Sequence, residues 1–135
     1  MKKGILFVLA FAVFVLAVFA IGLLVFKNGR SDAKAAIGCL KEAGTATMKM
    51  SEADSFDPQN IKIKKCTKVV FENVGTKEHW PASDLHPTHS IYPEFDPQRP
   101  VEPGDSWTFV FGKVGNWRYH DHLFPATRGT VTVEE

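Results

Sequence analysis

All five histidines of the chain fall in two segments: His79, His86 and His89 lie between residues 75 and 103, and His120 and His122 follow later. Imidazole is the commonest protein ligand for transition metals. His120 and His122 are two apart around Asp121. On a β-strand such residues share a face, about 6–7 Å apart at Cα, so both rings can approach one ion. Asp121 then projects from the opposite face. Imidazole together with carboxylate suits Cu(II) or Zn(II), and the affinity order favours copper. The bland readings stand beside this one. His79-Trp80-Pro81 can be a packed loop, His86-Pro87-Thr88-His89 a turn, and His120 and His122 can pair with Asp84, Glu94 or Asp96.

The elements that must position these residues read as short strands. Thr45 to Ser51 alternates loosely, and Ile61-Lys-Ile-Lys alternates cleanly. Val69-Val-Phe-Glu-Asn predicts a buried strand. Ser106 to Phe111, Trp117 to His122 and Thr130 to Val133 complete the set. Short alternating runs separated by Gly, Pro, Asn and Asp predict an all-β sandwich or barrel. Trp107, Phe109, Phe111, Trp117 and Tyr119 read as core or flanking aromatics at strand spacing, and Met48 and Met50 as core on a shared face. Residues 75–103 break the rhythm, carrying six of the eight prolines. Proline fixes φ and removes a donor, so this segment is not one continuous central strand. A loop of that length in a compact domain is usually functional.

Ahead of the strands the composition differs. After Met1-Lys2-Lys3, Ile5 opens a run that reaches Phe26 without a charged residue. As a helix it spans about 33 Å, enough for a hydrocarbon core of about 30 Å. The reading is residues 1–30 as an uncleaved membrane anchor, with a signal peptide as the alternative. Residues 31–44 form a linker or short helix, and 45–135 the folded domain. Ala36-Ile37-Gly38-Cys39 only loosely resembles a lipobox, because Lys27, Arg30, Asp32 and Lys34 separate it from the apolar run. Lys2 and Lys3 favour a cytoplasmic N-terminus, which exports the domain to a periplasm or cell surface. An oxidising compartment lets Cys39 and Cys66 pair. All 15 acidic residues follow the apolar run, while four of the 16 basic ones flank it. The remainder is mildly acidic, with no footprint for nucleic acid.

Residues 56–75, Phe-Asp-Pro-Gln-Asn-Ile-Lys-Ile-Lys-Lys-Cys-Thr-Lys-Val-Val-Phe-Glu-Asn-Val-Gly, resemble the first half of a cupredoxin domain of the plastocyanin and amicyanin kind. Such domains carry a Phe-x-Pro, an alternating strand, a turn and then Val-x-Phe-x-Asn; Cys66 stands where the turn usually has Gly. Pro103-Gly104-Asp105-Ser106 followed by Phe109 matches the family's next strand entry, and residues 115–133 resemble its ligand-bearing hairpin. The resemblance implies a Greek-key β-sandwich and a copper cofactor. His79 stands at the first ligand. A short-loop hairpin of the family reads Tyr-His-Cys-x-x-His-Pro-x-Met-x-Gly-x-Val-x-Val; here Tyr119 to Val133 aligns without a gap. Asp121 then replaces the cysteine ligand, Phe124 the second histidine and Thr127 the methionine. A blue-copper centre needs that thiolate.

Two ligand sets remain open. In one, His79 and Asp121 keep the family position and recruit His86 or His89. In the other, His120 and His122 build an outward site with the loop histidines. The functional expectation is a membrane-anchored, extracytoplasmic protein that holds or delivers copper through a histidine-rich, non-blue site. Its partner would be a copper-receiving or redox protein. The alternatives are an electron-transfer or accessory domain of a respiratory complex, a metal-free interaction domain, and a copper enzyme. No Ser-His-Asp order, phosphate loop or carboxylate pair recommends another enzyme class, and catalysis is not expected.

Overall fold

The computed structural model describes Cys39, residues 41–51 and residues 55–135; the anchor expected at residues 5–26 and most of the linker lie outside the described residues. Among the described residues no helix is long and apolar enough to cross a membrane.

The described residues form eight strands: β1 Gly44–Ser51, β2 Ser55–Asp57, β3 Asn60–Lys64, β4 Thr67–Asn73, β5 Pro81–Ser83, β6 Ser106–Phe111, β7 Gly115–Asp121 and β8 Arg128–Glu134. They make two four-stranded sheets, ordered β2-β1-β4-β6 and β3-β8-β7-β5. β1 runs parallel to β4 and β3 parallel to β8; the other pairs are antiparallel. The buried strand expected at Val69-Val-Phe-Glu-Asn becomes β4, whose burial alternates from Thr67 to Asn73, as one face of a strand meets a core and the other does not.

Met48, Met50, Val69, Phe71, Phe109, Phe111, Tyr119, Val131 and Val133 fill the core. Trp107 and Trp117 pack partly buried at its margin. The long segment adds two residues that strand periodicity does not mark: Phe95 stacks on Trp107 and Phe109, and Tyr92 meets Phe109 edge-on. Their burial pins the loop to the sandwich. The loop also holds β5, which lies at a sheet edge where proline costs no ladder bond. Cys39 and Cys66 form a disulfide, with Cα atoms 5.5 Å apart.

Candidate metal centre

The antiparallel pairing of β5 with β7 sets the geometry, matching Pro81 to Asp121, Ala82 to His120 and Ser83 to Tyr119. Tyr119 lies in the core, so Asp121, two residues on, shares its side of the sheet and His120 takes the other. The segment after β5 returns over that second side. The Ser83 hydroxyl lies within hydrogen-bond reach of the carbonyls of His89 (2.8 Å) and Tyr92 (3.0 Å) and shares its one proton between them, and the Ile91 amide donates to the Asp84 carbonyl (2.8 Å). This bracing carries His86 and His89 to the hairpin.

His86, His89, His120 and His122 each offer a ring nitrogen, and these four atoms lie within 4.8 Å of one another. His86 Nδ1 is 3.2 Å from His120 Nε2, and His122 Nδ1 is 2.9 Å from His89 Nε2. Two nitrogens on opposite sides of one ion, each at about 2.0 Å, stand about 4 Å apart. The cluster therefore has the dimensions of a single four-nitrogen site. It fits an ion of the copper or zinc class on donor chemistry as well as on size.

Carboxylates orient two of the rings. His120 Nδ1 is 3.0 Å from Asp84 Oδ1, and His89 Nδ1 is 2.7 Å from Asp96 Oδ2. Each Nδ1–H donates outward, which leaves the Nε2 lone pair facing the cluster. Asp84 is held in turn by Arg128 Nη1, at 3.0 and 3.2 Å from its two oxygens. Burial pushes Asp96 up, but hydrogen bonds from His89, the Gln98 amide and Trp80 Nε1 outweigh it and hold the carboxyl below its usual value. Burial lowers the His120 pKa against the pull of Asp84. It lowers that of His122 too, assisted by repulsion from His89 and His86. Both shifts favour neutral imidazole, the ligating form. Trp80 closes one side, its ring centroid 4.7 Å from that of His122.

His79 and Asp121, candidates in the first ligand set, lie apart from this group. His79 Nδ1 is 2.6 Å from Asp121 Oδ2, with both side chains at most 1 % exposed. Asp121 Oδ1 accepts from the backbone amides of Trp80 (3.1 Å) and Leu123 (3.0 Å), so hydrogen bonds already occupy both of its oxygens. His79 Nε2 is buried without a hydrogen-bond partner, and the His79 ring lies 5.9 Å from that of Phe124. The ring nitrogens of His86 and His89 gather with those of His120 and His122, and neither His79 nor Asp121 belongs to that group; the structure does not bring the first ligand set together. Neither cysteine offers a thiolate, since both are in the disulfide. Of the carboxylates weighed as partners, Asp84 takes His120 and Asp96 takes His89, while Glu94 pairs with Lys113 at 3.0 Å. Such pairing does not exclude metal binding here, because each paired ring keeps its second nitrogen for the cluster. Trp80 as a wall of the site had no signal beyond its place beside His79.

No protein-family model matches the chain, and no curated protein does. Solved structures do. One is a purple cupredoxin from Nitrosopumilus maritimus, 25% identical, with a TM-score of 0.57 over 66% of this chain and 99% of that one. The domain is cupredoxin-like. Variants of amicyanin superpose similarly. A reduced one gives a TM-score of 0.58 at 16% identity, covering 72% of this chain and 89% of the other, and so does a Cu(I) form at pH 4. At that identity the amicyanins speak for the fold alone. The cupredoxin-like sandwich thus presents a histidine cluster able to hold a metal, on the side of its β7-containing sheet away from the core.

Proposed function

We propose that this chain is a membrane-tethered, extracytoplasmic cupredoxin-like protein that holds copper as cargo, or hands it on, through His86, His89, His120 and His122. The observation that carries the reading is the convergence of four ring nitrogens within 4.8 Å, two of them oriented by Asp84 and Asp96. All-nitrogen ligation suits Cu(II) and gives a non-blue centre, because no thiolate is present to produce the blue one. Zinc is the competing ion. On the register implied by the resemblance, the family's inner copper position falls beside His79 and Asp121, which are hydrogen-bonded to each other at 2.6 Å. The disulfide supports an oxidising compartment, and the apolar run from Ile5 to Phe26 supports the tether.

Titrating the full-length protein in detergent with Cu(II) tests this. The expected result is one ion per chain, a weak ligand-field band and no intense thiolate absorption. Replacing both His89 and His120 by Ala should abolish uptake. A strong blue or purple band would refute the non-blue assignment. A reversible one-electron couple with rapid self-exchange would favour the electron carrier suggested by the fold. No uptake at all would leave an interaction domain.

A further inference from the structure

The four rings are not held alike, and the difference assigns them different tasks. His120 is fully buried on β7 with Asp84 behind it. His89 is buried with Asp96 behind it, and its own carbonyl is tied to Ser83. His122 is half-buried; its amide donates to the Trp80 carbonyl at 2.7 Å and its ring packs against the Trp80 indole. His86 alone of the four is exposed, within a run in which Leu85, Pro87 and Thr88 are exposed as well. Among the described residues its ring interactions are with other imidazoles: Nδ1 faces His120 Nε2, and the His122 ring is 4.8 Å away. No carboxylate among the described residues bonds it.

Resting on the copper reading above, we infer that His86 is the exchangeable ligand of the site, the one whose nitrogen lets go as cargo enters or leaves. A ring without a partner behind it loses little by turning away, whereas freeing His89 or His120 would break its charge-assisted hydrogen bond to Asp96 or Asp84. In the exchange, the bond between His86 Nδ1 and the ion breaks as an incoming donor from the acceptor forms its own. One bond is lost and one is made, with no change of oxidation state. Three fixed rings retain the ion in the meantime.

The experiment follows Cu(II) uptake by the full-length protein, and Cu(II) extraction by excess EDTA, in stopped flow. It compares the native chain with His86→Ala, His86→Gln and His122→Ala, each checked for fold by circular dichroism. The expected result is that both His86 variants still bind one Cu(II), with one fewer nitrogen in the electron paramagnetic resonance spectrum. Both uptake and extraction should quicken tenfold or more. His122→Ala should quicken extraction only. The inference is overturned if the His86 variants exchange at the native rate, if they behave as His122→Ala does, or if they lose the ion altogether. A native chain that takes up no Cu(II) overturns the copper reading itself, and this inference with it.

Discussion

Asp84 and Asp96 make the histidines into a site of defined polarity. Each fixes a tautomer by accepting Nδ1–H and so directs Nε2 inward. Asp96→Asn replaces a charged acceptor with a neutral amide, and the chain should still fold. Copper affinity should fall about 10- to 100-fold, as is usual when such an outer partner is lost, readable by competition with a chelator. The pH dependence follows from burial. His120 and His122 have folded-state pKa values below the ordinary imidazole value of about 6.5. On acidification the unfolded chain takes up protons at these two positions before the folded one does, so their contribution to stability is complete above about pH 6.5 and is lost below it. Metal-free protein should therefore melt at lower temperature as pH falls from 7 to 5.5. A melting temperature that rose over that window would contradict the assignment of neutral buried rings.

Six of the eight strands among the described residues were legible as short apolar runs between turn residues, and β6 was expected at its observed bounds, Ser106–Phe111. β2 and β5 were not legible. Three residues are too few to show a period, and β5 begins at Pro81. Nor did any pattern show that Tyr92 and Phe95 would anchor the proline-rich segment in the core. Alternation placed His120 and His122 on one side and Asp121 on the other. What no periodicity carries is the distance between the loop and the hairpin; that depends on Ser83 and the two aromatics. Two element-scale outcomes follow. Gly129 of β8 lies against the Tyr119 ring and the Gln59 carbonyl, where an added methyl has no room. Gly129→Ala should cost about 1–3 kcal/mol in chemical denaturation. The disulfide ties the segment before β1 to the turn between β3 and β4, at a separation of 27 residues. Removing it with paired alanines should cost about 3–4 kcal/mol by loop entropy. Copper uptake should be unchanged, since Cys39 and Cys66 are not among the clustered ligands.

For the molecule as a whole, the cupredoxin-like sandwich carries two histidine arrangements on the two sides of one strand. His79 and Asp121 are bonded to each other on the core side, and four rings converge on the other. The proposed copper site lies on the outer side. Anomalous diffraction at the copper edge, from crystals grown with one equivalent of Cu(II), tests it most directly. The expected result is one strong peak bounded by ring nitrogens of His86, His89, His120 and His122. A peak between His79 and Asp121, or no ordered copper, would contradict it.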